Sequence, residues 1–373
     1  MLKIRHYVGT IFVMLGSSCN LNCKYCMQHA LIETPVPARN LDAGIIDFIA
    51  AHAAESDKPL DVRFYGGEPL IYMDDIRQIV HLLKEKQANV RFSIISNGKL
   101  LTEEIVQFFN AHNFEVAISW DGDNVSDTRR YDVVKEHRAE LLQIDNLSID
   151  GVLTSYNYIY DFLQANVSLQ DEYKKLHGYT YKVFTDEIMD CDNSSRELTN
   201  VDLKRVYEQS EAVVKKALSD EVEHSTLSRM CFEIFYRAVF RSMISEKSCL
   251  SKDYCACSNA VCTINLDLDG NLYQCHNNWK KVGNIFLDNY ETYMAHAVIN
   301  ENISRHNHEN HCKDCEASLM CSTGCPLIGQ PMREKTGYCE MKKASFLPFI
   351  KEIRKMQERP EEFSILQSKD MTE

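Results

Sequence analysis

No stretch of this 373-residue chain approaches the roughly 18 to 20 apolar residues that a bilayer-spanning helix needs. The first residues, MLKIRHYVGTIFVMLGSSCN, lack the longer apolar core and small-residue cleavage site of a signal peptide. A membrane span and secretion are therefore not expected, and the chain reads as cytoplasmic. Low-complexity linkers are missing, as is any repeat beyond alternating strand and helix patterns. Proline and glycine are sparse, at 8 and 14 residues, in a chain that is 45% hydrophobic and 25% charged, which is the make-up of a folded protein. Positive charge is also short. A formal net charge of −13 argues against a broad nucleic-acid footprint and leaves a basic or near-neutral peptide as the easier partner.

From about residue 8 to 188, strand-like and helix-like segments alternate. YVGTIFVML leads to DVRFYGGEP, VRFSIISNG, FEVAISWDG, IDGVLT and YTYKVF, with helical patterns between them. In MDDIRQIVHLLKEK, Ile76, Ile79, Val80 and Leu83 share one helical face. Thr102 followed by two glutamates reads as a capped helix start. A further helix is expected around 127–142. About six such units imply a parallel sheet, and the residues with chemical character cluster at its strand ends, where α/β folds bind ligands. Residues 200–247 read as helical, TINLDLDGNLYQC as a hairpin turning at Asp269-Gly270, RHNHENH as a solvated loop, and the tail from about 345 as a helix.

Against these absences stand fifteen cysteines, too many for disulfides in a reducing compartment. Three lie within 19–26 and ten within 249–339, leaving only Cys191 and Cys231 outside. Such clustering reads as metal binding. CNLNCKYC places Cys19, Cys23 and Cys26 at C-x3-C-x2-C. Three thiolates can hold three irons of a 4Fe–4S cubane and leave the fourth open. A zinc site completed by His29, a C-x2-C redox pair and buried structural thiols are the alternatives from spacing alone.

The triplet after a first strand resembles the radical S-adenosylmethionine (SAM) superfamily, and the resemblance continues in order along the barrel. Gly66, Gly67, Glu68 and Pro69 resemble the element that receives the SAM amino group, and Tyr25 the aromatic near adenine. Ser96 and Asn97 resemble the ribose and carboxylate region. Ser119 and Asp121, followed by SDTRR, resemble a stretch in which Arg130 would hold the SAM carboxylate, with Arg129 able to take that role. Ser126 stands where the family often has His, and the spacing is one residue shorter. The resemblance implies a cluster that chelates SAM and cleaves it reductively to a 5′-deoxyadenosyl radical, fed by a reductant such as flavodoxin or ferredoxin.

The second field, Cys312, Cys315, Cys321, Cys325 and then Cys339, with Gly270-x4-Cys275 upstream, is similar to the SPASM motif. By position, that resemblance implies two auxiliary 4Fe–4S clusters. One takes Cys257, Cys262, Cys275 and Cys325, with Cys255 an alternative to Cys257, and the other takes Cys312, Cys315, Cys321 and Cys339. Zinc-ribbon sites are the competing reading. The expected fold class is α/β, a partial (β/α)6 TIM-like barrel with a C-terminal Cys-rich SPASM domain carrying a β-hairpin. The expected division is 1–215 barrel, 216–248 helical bridge, 249–345 SPASM domain, and 346–373 helix and tail. Cys191, Cys231 and Cys249 read as core residues, with a hydrogen-donating thiol as the functional alternative.

SPASM enzymes mostly act on peptides and proteins, so the expected activity is hydrogen abstraction from a residue of a ribosomally made peptide or protein, leading to crosslinking, epimerisation or oxidation. Sulfatase maturation to formylglycine and small-molecule dehydrogenation are the alternatives, and a non-catalytic metal scaffold is a remote one. Sulfatase maturases have an Asp proposed as base after the G-x4-C cysteine. Here that position is His276, a candidate catalytic group that could accept a proton when neutral. About eighteen residues before the triplet leave no room for a leader-recognition domain. Leader binding would then need a separate protein, or the target would be recognised directly.

Overall fold

A computed structural model describes residues 8–26, 28, 41–55, 57–187, 201–219, 222, 224–248, 263–277, 279–287, 311–321, 324, 331, 333–334 and 337–358. The strands β1 (Thr10–Met14), β2 (Leu60–Tyr65), β3 (Val90–Ser96), β4 (Glu115–Ser119), β5 (Leu147–Leu153) and β6 (Lys182–Glu187) pair in parallel in sequence order. The helices α1 (Ala43–Ala53), α2 (Met73–Glu85) and α3 (Glu103–Ala111) alternate with the first strands. This is the expected succession of six βα units.

Alternation along the strands builds the core. Ile11, Val13, Val62, Phe64, Ile94, Ile118 and Ile149 are fully buried on the helix-facing side. Each such side chain contributes roughly 1.5–3 kcal/mol over its exposed state. The helix α2 meets them with Ile76, Ile79, Val80 and Leu83, the face its periodicity predicts. Thr102 caps α3, accepting from Ile105 N–H at 3.3 Å. The opposite face of the sheet is polar: Arg63 donates to Asp61 and to Ser93, and Phe12 packs edge-on against Tyr65.

The helix expected at 127–142 is broken into three single turns, α4 (Val125–Thr128), α5 (Val133–Glu136) and α6 (Arg138–Leu141). Arg130 takes a left-handed φ of 61°, which stops the first turn. The carboxylate of Asp132 then caps the second by accepting from Lys135 N–H. After β5 comes α7 (Ile159–His177), and after β6 come α8 (Leu203–Ala217) and α9 (Thr226–Ser248).

The expected hairpin forms as β7 (Thr263–Asp267) and β8 (Asn271–Tyr273), extended by β9 (Lys281–Asn284). It does not stand apart from the barrel, because β7 pairs in parallel with β1 and prolongs the same sheet. The Asp267 carboxylate fixes its turn, accepting from Asp269 and Asn271 N–H and from the Tyr273 hydroxyl. Later come the short α10 (Ser318–Cys321) and the long α11 (Tyr338–Glu358), which packs along α8. Among the described residues no helix is long and apolar enough to cross a membrane. The loop RHNHENH falls largely outside the described residues, reaching them only at His311.

Candidate functional site

The chain leaves β1 and β2 at the same edge of the sheet, and two glycines let the following segments touch. Gly67 N–H donates to Gly16 O at 2.9 Å and Glu68 N–H to Ser18 O at 2.8 Å. A Cβ on Gly66 would sit 2.3 Å from Gly16 O, and one on Gly67 would sit 2.3 Å from Ser18 O. The GGEP element is thus bonded directly to the backbone that runs into Cys19. Pro69 is buried at the start of the short turn that follows.

Glu68 is 1% exposed, and its carboxylate is occupied by protein donors. Leu70 N–H and the Ser96 hydroxyl donate to Oε1, and Asn97 N–H to Oε2, at 2.7–2.9 Å. Burial raises its pKa, and these donors and the Arg129 charge oppose the rise. Glu68 therefore ties the end of β2 to the end of β3. Asn97 continues the chain of contacts with its amide, which donates to Asn20 Oδ1 at 2.9 Å and to Cys19 Sγ at 3.9 Å.

On the other side of the triplet, the Tyr25 hydroxyl donates to Asp121 Oδ2 at 2.7 Å. Asp121, fully buried, also accepts from Val152 N–H at 3.0 Å and pairs with Arg129 Nε at 3.2 Å. The Arg129 guanidinium lies 5.4 Å from the Tyr25 ring centroid. Its pKa is raised because Asp121, Tyr25 and Cys23 outweigh the desolvation that opposes them. Arg130, the residue expected here, is instead exposed on its left-handed turn, and Arg129 is the buried cation of this edge. Ser119 ends β4, half-buried and in register with Asp150 of β5.

Cys19, Cys23 and Cys26 are half-buried in the loop between these two networks. Burial raises all three thiol pKa values, that of Cys23 to about 11, while Arg129 lowers those of Cys23 and Cys26. The thiols are close enough to raise one another, yet among the described residues no three His, Cys, Asp or Glu side chains converge on a single-ion site. Three neighbouring thiols beside a buried arginine are a donor set suited to an anionic iron–sulfur cluster. His29 lies outside the described residues.

Below this edge, the loop after β8 carries Cys275 and His276 onto the polar face of the sheet. The His276 ring stacks on Phe12 at 4.2 Å between centroids and meets Tyr65 edge-on at 4.9 Å. The Tyr65 hydroxyl donates to Asn277 Oδ1 at 2.8 Å, Gln28 Nε2 donates to His276 O, and Asn277 N–H points to Cys275 Sγ at 3.4 Å. Burial, reinforced by the Arg63 charge, pushes the His276 pKa down to about 4, so the imidazole is neutral at neutral pH. Its buried Nδ1 has no hydrogen-bond partner among the described residues.

The second cysteine field is described in part. Cys312, Cys315, Cys321 and Cys339 lie within one another's electrostatic reach. Cys255, Cys257, Cys262 and Cys325, and likewise Cys191 and Cys249, lie outside the described residues. Cys231 is a fully buried core residue of α9. Asn20, Gln28 and Asn277 were not singled out in the sequence. Their one signal there was adjacency to the cysteines and to His276.

Known proteins resemble this chain in sequence and in fold. Residues 13–142 match the Radical SAM superfamily. The radical SAM cyclopropyl synthase TigE of Paramaledivibacter caminithermalis is 22% identical, over 90% of this chain and 72% of that protein. A cysteine-type anaerobic sulfatase-maturating enzyme of Clostridium novyi is 24% identical, over 85% and 87%. Among solved structures, native anSMEcpe with bound AdoMet superimposes with a TM-score of 0.64 at 17% identity, covering 93% of this chain and 99% of that one. Streptococcus suis SuiB bound to S-adenosylmethionine gives 0.57 at 15%, covering 86% and 74%. The superfamily implies a 4Fe–4S cluster and SAM, which the donor set at Cys19, Cys23 and Cys26 fits. The chain carries a radical SAM domain and is homologous to the anaerobic sulfatase-maturating enzymes.

Proposed function

We propose that the protein is a radical SAM enzyme that modifies a residue of a ribosomally made peptide or protein. The observation that carries this reading is the cysteine triplet at the strand ends together with a buried histidine stacked on Phe12 of the same sheet. When bound, the cluster and SAM would supply the radical chemistry that removes a hydrogen atom from the substrate. The chain's own residues orient and protect. Cys19, Cys23 and Cys26 hold the cluster, and Asn97 and Asn20 fix the first thiol. Backbone at Gly66, Gly67 and Glu68 receives the SAM amino group, because the Glu68 carboxylate is already occupied. Arg129 uses Nε for Asp121 and turns its remaining nitrogens to the SAM carboxylate. Tyr25, Ser96, Ser119 and Pro69 complete the SAM-binding edge. His276, neutral and stacked on Phe12, would take the proton that the substrate radical loses as its electron passes to the auxiliary cluster that Cys275 would help to hold.

In the same reading, Cys257 (or Cys255), Cys262, Cys275 and Cys325 hold one auxiliary cluster, and Cys312, Cys315, Cys321 and Cys339 the other. A flavodoxin- or ferredoxin-type reductant supplies electrons. The peptide assignment is supported by solved relatives seen with peptides, anSMEcpe with Cp18Cys and SuiB with its precursor SuiA. Oxidation of a sulfatase cysteine or serine to formylglycine is the second reading. It is favoured by homology to sulfatase maturases along most of the chain and weakened by His276 at the position of their aspartate.

The test is anaerobic turnover of the reconstituted enzyme with SAM, reductant and short peptides encoded beside its gene, followed by mass spectrometry and 5′-deoxyadenosine quantitation. Peptide modification in step with 5′-deoxyadenosine is expected. Conversion of a sulfatase-derived cysteine peptide instead would select the second reading, and turnover of small metabolites alone would overturn both.

A further inference from the structure

Arg333 belongs to no motif, yet it is 3% exposed and lies among the cysteines of the second field. Its Nη1 donates to Cys339 Sγ at 3.8 Å, and its guanidinium lies 5.1 Å from the ring centroid of Tyr338, the neighbouring residue that opens α11. Its charge also acts on Cys312 and Cys321, so three of the four thiols feel it. Tyr338, 1% exposed, is itself held close, since a Cβ on Gly324 would come within 2.8 Å of its hydroxyl. The arginine thus presents one guanidinium nitrogen to sulfur beside the Tyr338 ring.

Four thiolates around a cubane carry net negative charge, which grows by one on reduction. A fixed cation with an N–H···S contact favours the reduced state and so raises the potential. Resting on the reading that Cys312, Cys315, Cys321 and Cys339 hold an auxiliary cluster, we propose that Arg333 is the positioning residue that sets that cluster's reduction potential. It keeps the cluster reducible by the same low-potential one-electron donor that serves the SAM site. The step moves one electron from that donor to the cluster and no proton.

The experiment uses the full chain with Cys19, Cys23 and Cys26 replaced by Ala, so that only auxiliary iron remains. Iron and labile sulfide are counted, and an EPR-monitored titration with dithionite and redox mediators is run for Arg333, Arg333→Met, Arg333→Gln and Arg333→Lys. A further Cys312→Ala, Cys315→Ala chain identifies the signal that belongs to this site. The neutral variants should keep their iron and show that one midpoint shifted to more negative potential, with Lys restoring most of the shift and the other midpoint unmoved. Full iron with an unshifted midpoint overturns the proposal. Should both neutral variants lose iron, a fully loaded Lys variant still supports the charge requirement, whereas loss of iron in Lys as well reduces Arg333 to a packing role. Absence of auxiliary iron in the chain with native Arg333 is a different result, since it removes the cluster reading itself.

Discussion

Alanine in place of Gly67 tests whether close backbone approach, and not the glutamate beside it, is what the GGEP element contributes. The added Cβ would lie 2.3 Å from Ser18 O and 2.4 Å from Ser17 O, where real Cβ contacts essentially never fall under 3.0 Å, so the two segments must separate by about 0.7 Å. Both clashing atoms are main chain, and no side chain can rotate away. The separation strains the bonds from Gly67 N–H to Gly16 O and from Glu68 N–H to Ser18 O. Losing both costs about 1–3 kcal/mol at roughly 0.5–1.5 each, and overpacking adds about 1–3 more. Against a typical folding stability of about 5–15 kcal/mol the domain survives, and the damage falls on Cys19, the next residue after Ser18. The variant should stay folded with a lower denaturation midpoint. It should lose most of the iron held by the triplet and form little 5′-deoxyadenosine, while iron in the second cysteine field is retained. Iron, sulfide and 5′-deoxyadenosine are read on one preparation, with circular dichroism as the fold control. Wild-type iron and wild-type SAM cleavage in Gly67→Ala would refute the argument.

The two adjacent arginines give a sharper contrast. Arg129→Ala removes a buried cation from Asp121, which should weaken SAM binding tenfold or more and destabilise the fold by about 3–5 kcal/mol as Asp121 is left uncompensated. Arg130→Ala, on the exposed turn, should leave SAM binding within error by calorimetry. His276→Gln should still cleave SAM but lose product by about 10²–10⁴-fold, the usual worth of a general base, so 5′-deoxyadenosine and modified peptide come apart by mass spectrometry. Because the folded pKa of His276, about 4, lies below its ordinary 6.5, its stability contribution is present above the ordinary value and is lost as pH falls toward about 4. The modification rate should then be flat from about pH 8 to 6 as far as this group is concerned. Thr102→Ala should cost about 1 kcal/mol through the lost cap of α3, measured by urea denaturation, without changing SAM cleavage.

What could be read from sequence was whatever is periodic or spaced. The apolar face of α2 was legible because a helix repeats its buried face at i, i+3, i+4 and i+7, and Ile76, Ile79, Val80 and Leu83 obey that rule. The strand order was legible because each unit ends in a turn bearing polar residues. The break at 125–141 was not, since it depends on a left-handed arginine, and a non-glycine residue in that conformation leaves no mark in composition. That one dihedral decides which arginine faces the cysteine triplet. It ends the turn at Arg130, so Arg129 is carried inward to Asp121 and Arg130 outward to solvent. Joining of β7 to β1 was equally hidden, because about two hundred and fifty residues separate strands that become neighbours. Glu68 illustrates the limit most clearly. It belongs to the GGEP element that resembles the SAM amino-group site, and its own carboxylate accepts from Leu70, Ser96 and Asn97. Its service is to hold two strand ends together, and the glycines before it bring the backbone to where the triplet begins.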